Sequence, residues 1–363
     1  MRVVILVLLS IGLVRSEESV NPPAAPTAVP LEERTALQWA QEAANFARVV
    51  RDDPVSKAEC LLMAAGPLFL ADPENDAASN IIIEAREAIS EDEWNGEYIG
   101  WQRVFTAAQM GDLAALNAAL DIIGSDVTIL RLAVEFAHHA GHDELARNLS
   151  NRAWNELRLL GDELDGNEHY FVAECFILMS DYRTARNLAA EAPTDSERCE
   201  ILADVAAALF RTGENGEADF RSAKQIYDQL PADHPYIDSA TARIITAELY
   251  RGDIIKSRLR IERISDPLLR SDALVDFAMA AAKAGRLRLA RRSFNMAHQA
   301  LVPEGDILSE VYPIILWAQS GDLEGVSQLY QTVRDPYRRS WYAASIADGM
   351  LRADRLNEQE SNQ

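Results

Sequence analysis

Cysteine is nearly absent from this chain: three in 363 residues, which excludes a disulfide-dense scaffold. Glycine is scarce too, 17 residues against an average usage of roughly 7%. Basic residues are outnumbered, 35 Lys and Arg against 57 Asp and Glu, for a formal charge of −22. That balance argues against nucleic acid or an anionic membrane as the main partner, since both demand a positive field. No stretch of useful length alternates as a strand would. There is no nucleophile-elbow glycine pattern, phosphate-cradling loop or His-Glu-x-x-His, so no catalytic residue and no cofactor is read from motifs. What remains is 48% hydrophobic, enough to exclude global disorder and to build a large core.

The N-terminus speaks for export. Met1-Arg2 is a minimal basic region, residues 3–14 are a 12-residue apolar run, and Val14-Arg15-Ser16 places small residues where a signal peptidase would cut before Glu17. Twelve helical residues span only about 18 Å, short of a hydrocarbon core of about 30 Å, so no stable membrane insertion is expected after cleavage. With Arg2 and Arg15 gone, −22 becomes −24. Residues 17–30, with four prolines between Asn21 and Pro30, read as a flexible tether, and residues 357–363 as a disordered polar tail. The expected location is periplasmic or secreted, in a bacterium.

Between them the sequence repeats. Turn marks recur at Gly111-Asp112, Gly141-His142, Ser180-Asp181, Gly213-Glu214, Gly252-Asp253, Gly285-Arg286 and Gly321-Asp322, six steps over 210 residues, or 35 each. A second mark, Asp-Pro-x-x-basic, stands at Asp53, Asp266 and Asp335, with a looser copy at Asp195. From 53 to 335 is eight units of 35.25. Asp caps helices and Pro at the first helical position loses no hydrogen bond, while Gly ends them. Ala273, Leu274, Phe277, Ala278, Ala281 and Ala282 before Gly285, with Leu289, Ala290, Phe294 and Ala297 after it, follow helical spacing.

The stretch from Leu274 to Pro303 resembles a tetratricopeptide repeat (TPR): Leu274, Phe277, Ala278, Gly285, Ala290, Phe294 and Ala297 fall at that family's spacing, with the Pro one place late. The resemblance is weaker around 111, 141, 213, 252 and 321, and the Trp and Tyr favoured in the first helix are mostly missing. It implies an all-α, right-handed α-solenoid of about eight hairpins plus end helices. Residues 31–356 form that single array, with repeats over 53–355, an extra N-terminal helix over 31–50 and a terminal cap from Trp341. It also implies a scaffold that binds a protein or peptide partner.

Several side-chain groups have the composition of a chemical site. His138, His139 and His142 could place two imidazoles on one face, but Gly141 breaks the helix between them and no metal site is expected. Asp162, Glu163, Asp165 and Glu168, like Glu91-Asp92-Glu93, read as solvating or capping acids. Cys175 and Cys199 are the plausible pair for a bridge, though free buried thiols are the commoner state. Counting back from the turns, Trp101, Phe105, Tyr170, Glu174, Phe210 and Met279 could face a binding groove; buried packing between units is the plainer use of such residues. Arg147, Arg186, Lys224, Arg258 and Arg291 follow the small residue of the second helix and would form a basic ladder, or pair with acids of their own or the next unit. Residues 251–300 carry 11 basic against 5 acidic side chains. The expected function is a non-enzymatic extracytoplasmic scaffold with an open groove. The alternatives are an exported α/α enzyme, possibly polysaccharide-active and using acidic loop residues, and a structural spacer in an envelope complex.

Overall fold

The computed structural model describes residues 29–50, 53–160, 167–301 and 307–361. The export segment 1–16, the tether up to residue 28, Asp162, Glu163, Asp165 and Pro303 lie outside the described residues. The fold is all-α: nineteen α-helices and, among the described residues, no strand. Helix α1 (Ala36–Val49) follows a 3-10 turn at Leu31–Glu33. Then come α2 (Pro54–Ala71) with α3 (Ala77–Glu87), a single turn α4 (Glu91–Trp94), and α5 (Glu97–Met110) with α6 (Leu113–Ile123). The pairs continue as α7 (Val127–His139) with α8 (Asp143–Leu160), α9 (Glu168–Leu178) with α10 (Tyr182–Glu191), and α11 (Asp195–Thr212) with α12 (Glu217–Tyr227). They end as α13 (Ile237–Arg251) with α14 (Ile254–Ile261), α15 (Pro267–Lys283) with α16 (Leu287–Leu301), α17 (Ile307–Gln319) with α18 (Leu323–Thr332), and the long α19 (Pro336–Ser361).

Local chemistry explains the punctuation. Asp53 and Asp266 accept hydrogen bonds from Val55 N and from Leu268 and Leu269 N, each with Pro at the first helical position. The helices α6, α10 and α18 open on Asp112, Asp181 and Asp322, whose side chains cap Ala115, Thr184 and Gly325. In every pair but α2 with α3, the first helix stops at a residue of positive φ. Six are glycines, with φ from 69° to 103°, and the seventh is Ser180 at 58°, where a Cβ is strained.

One helix of each pair lies against its counterparts in the neighbouring pairs, in the order α2, α5, α7, α9, α11, α13, α15, α17, α19. Such an inner helix is buried on three sides; α11 buries Cys199, Ile201, Ala203, Val205, Ala206 and Leu209. A single row per helix is left over, and it faces the interior.

The order returns to its start. Helix α19 packs on α2 and pairs with α1, so α1, expected as an extra leading helix, is the outer partner of the last one. Trp39 meets Tyr330 edge-on at 4.8 Å; Ser340 Oγ donates to the Ala43 carbonyl at 2.9 Å and Tyr337 Oη to Glu59 Oε2 at 3.0 Å. Trp39, Trp341 and Tyr330 are the three largest fully buried side chains. The array is therefore closed, where an open groove was expected, and α19 continues as helix through 357–361. Helix α2 is long and apolar enough to cross a membrane by length and composition, and here it is enclosed by α1, α3, α5 and α19. Cys60, Cys175 and Cys199 are free buried thiols; burial pushes Cys175 and Cys199 up to about 12.

Candidate functional site

The inward row has a register. Nine residues before the turn stand Asp204, Arg243, Asp276 and Tyr312, in four successive units. In the three preceding units the row shifts by one: Trp101, Arg131 and Tyr170 stand ten before the turn, and Phe105, Glu135 and Glu174 six before it. A spacing of four keeps them on one helical face.

Their side chains join into a polar girdle. Arg131 Nη1 lies 3.6 Å from Glu135 Oε2 and 3.4 Å from Glu174 Oε2. The Tyr170 hydroxyl lies 2.6 Å from Glu174 Oε1 and 3.0 Å from Asp204 Oδ2. Arg243 covers the Tyr170 ring at 5.2 Å, with its Nε 3.8 Å from Asp204 Oδ2. Thr246 Oγ1 donates to Asp276 Oδ2 at 2.6 Å. From the last helix, Arg352 grips Asp348 at 2.9 Å and reaches Glu135 Oε1 at 3.8 Å. Two inner helices, α2 and α5, intervene between α19 and α7 in ring order, so these side chains meet across the interior. Close by, Arg355 donates to the His139 carbonyl at the end of α7, where a cation suits the helix dipole.

Tyr170 has one proton and two carboxylate neighbours. It can donate to Glu174, the nearer, or to Asp204. Burial, aided by Glu174 and Asp276 and opposed by Arg243 and by the Tyr170 hydroxyl, pushes Asp204 up to about 6. Burial likewise pushes Asp272 up to about 7, with Asp276 and Glu174 adding and Arg243 and Arg131 opposing. His139 is driven well below its ordinary range by burial and then by Arg352, which leaves it neutral.

Several groups in the girdle lack protein partners. Arg131 Nε and Arg243 Nε are buried without a hydrogen bond. Asp272 accepts no hydrogen bond from any described residue, and Tyr312, 39% exposed, donates none. Six carboxyl groups (Glu135, Glu174, Asp204, Asp272, Asp276 and Asp348) face four guanidinium groups (Arg131, Arg211, Arg243 and Arg352), which leaves acid in excess.

Of the residues singled out from the sequence, the structure brings Tyr170 and Glu174 into this girdle. Trp101 and Phe105 sit beside it as an aromatic group, 6.2 Å apart, with Phe105 stacked on Phe136 at 4.9 Å. Phe210 turns toward the outer helix instead and meets Phe220 at 6.3 Å, and Met279 packs against the main core. In the basic series, Arg186 forms a two-pronged pair with Asp219 of the next unit, both bonds 2.9 Å. Arg291 does the same with Asp322, at 2.9 and 2.6 Å, and adds Glu324. Lys224 pairs within its own helix with Asp228. Arg147 and Arg258 are exposed and pair with no described acid.

The histidines diverge: His138 Nδ1 is 3.0 Å from Asp143, and His142 Nε2 is 3.0 Å from the Gln109 carbonyl. Among the described residues no three His, Cys, Asp or Glu side chains are grouped to hold a metal ion. Glu93 closes a capping box with Ser90, and Glu168 Oε2 accepts from Asn167 N.

Arg131, Glu135, Asp204, Arg243, Asp272, Asp276 and Tyr312 were not reached from the sequence. The signal was present. Counting back from the turns selects them once polar residues are counted along with apolar ones.

No family model matches the chain, and neither a curated protein nor a solved structure shows a significant match.

Proposed function

We propose that this chain is an exported, non-enzymatic binding module. In this reading it is a TPR-like right-handed superhelix of eight hairpins plus end helices that works in the periplasm or outside a bacterial cell and receives a segment of a protein partner at its inner girdle. The observation that carries the reading is the pair of buried donors there that lack a hydrogen-bond partner, Arg131 Nε and Arg243 Nε. Charged groups held inside a fold without partners are costly unless a ligand completes them. The acid excess selects the segment: a Lys or Arg side chain beside ordinary peptide acceptors, which the arginines would engage.

Fluorescence anisotropy with short labelled peptides tests this. A Lys-containing peptide should bind more tightly than its Glu-containing counterpart, and Asp272→Asn with Asp276→Asn should weaken it by about tenfold, the worth of a charge-assisted hydrogen bond. Equal binding of both peptides, or an indifferent double variant, overturns the proposal.

A second reading, an enzyme acting on polysaccharide, is favoured by the Glu174–Tyr170–Asp204 contact, which brings two carboxyl groups to one tyrosine hydroxyl. Against it, the tyrosine fills the gap that a sugar would need between the two acids. Turnover of any glycan by the wild type that is lost in Glu174→Gln would establish that reading.

A further inference from the structure

The outer wall opens where α14 is only eight residues long. The gap is an open, polar cleft of about 580 Å³ between α12, α13 and α14. It lies on the far side of the inner helices from the girdle and shares no residue with it. Five bases line it, Arg221, Lys224, Arg251, Lys256 and Arg260, against three acids, Asp228, Glu248 and Asp253. This is a local positive excess on a chain of −22.

Three of the bases are engaged. Lys224 holds Asp228 at 2.9 Å, Arg251 holds Asp253 at 2.5 Å while lying 4.5 Å over Phe220, and Arg260 holds Glu248 Oε1 at 2.9 Å. Arg221 and Lys256 are exposed and form no close ion pair with a described acid, though Arg221 Nε donates to the Glu217 carbonyl at 3.2 Å and Lys256 helps to lower Asp253. Glu248 is the unusual member. It is 4% exposed, its Oε2 has no hydrogen-bond partner, and burial raises it above the usual carboxylate range. A buried acceptor of this kind lacks a donor.

We propose that this cleft binds a small carboxylic acid whose neighbouring carbons carry hydrogen-bond donors, as in hydroxy acids, amino acids and sugar acids. The carboxylate sits between Arg221 and Lys256, and an adjacent O–H or N–H donates to Glu248 Oε2. A dianion such as phosphate is disfavoured, because Glu248 sets a like charge against it. A plain carboxylate leaves Oε2 unsatisfied.

Calorimetric titration of the whole chain separates these cases, with galacturonate, glutamate, acetate and inorganic phosphate as probes. Galacturonate or glutamate should saturate the protein and bind about tenfold more tightly than acetate, the worth of one satisfied buried acceptor. Whichever of the two binds more tightly identifies the donor as O–H or N–H. Arg221→Ser with Lys256→Ser should weaken that binding at least tenfold, while Arg258→Ser, a neighbouring exposed base outside the cleft, leaves it unchanged. Glu248→Gln should bring phosphate binding up. Asp272→Asn in the girdle should have no effect, which keeps the two sites distinguishable. The proposal is overturned if no donor-bearing acid saturates the wild type, if acetate binds equally well, if phosphate binds more tightly than either acid, or if the double variant is indifferent in a protein whose circular dichroism is unchanged.

Discussion

Where α19 begins, Trp341 is wholly buried beside α1, and Trp39 stands edge-on to Tyr330. About three turns before it ends, the same helix turns Asp348 and Arg352 toward the interior and touches Glu135 across it. One helix thus serves both an apolar seam and a charged girdle. The seam gains from burial alone, at about 25 cal/mol per Å² of apolar surface. The girdle holds ionisable groups away from water, and six acids against four arginines do not balance. The difference teaches that the seam is apolar packing alone, while the interior gathers charge that burial by itself does not favour.

The largest expected effect falls on the seam. Trp39→Ala leaves a cavity between α1 and α18 and should cost about 3–5 kcal/mol, read as a lower urea midpoint. A variant with an unchanged midpoint would show that closure does not depend on this contact. The girdle should answer in the opposite sense, through pH. Asp272 titrates at about 7 in the fold, against about 3.9 for an unfolded chain. The folded state therefore holds its proton more tightly, and this contribution is full below about pH 4 and is lost as pH rises through 7. Groups facing it, Arg243, Asp276, Glu174 and Arg131, set the size. Asp272→Asn should flatten the decline in stability between pH 4 and 7.5 relative to wild type, and parallel curves would remove Asp272 from the girdle.

Smaller effects lie on the outer wall. Asp322 caps α18, accepts from Trp317 Nε1 at 2.9 Å and holds Arg291. Asp322→Ala should cost about 1–2 kcal/mol, mostly as a lost cap, because the arginine is a third exposed and such pairs are screened. Smallest is a gain. Ser180 occupies the left-handed position that glycine holds in the other six units, so Ser180→Gly should add about 1 kcal/mol, seen as a slightly higher midpoint.

Much of this was legible in the chain. The turn glycines, the Asp-Pro starts and the 35-residue period all correspond to helix boundaries, because caps and left-handed stops are decided by a few adjacent atoms. Tyr170 and Glu174 were legible for the same reason, four apart on one helix. Phe210 was not: it lies three residues before its turn, one step round the helix from the inward row, and that step carries it to Phe220. The ladder was legible as a pattern but not as pairs, since Arg186 and Arg291 find their acids more than thirty residues on.

By itself the sequence determined the helices, their ends, their pairing into hairpins and the polar row that each inner helix presents. Those follow from contacts a few residues apart, repeated. Closure belonged to the tertiary structure alone. Whether the last hairpin meets the first depends on the small rotation between neighbours, summed over every step. That rotation is set by side-chain packing distributed along whole helices. Trp39 and Trp341 look like any other core residues until the sum brings them together, and only then do Arg352 and Glu135 stand face to face across the interior.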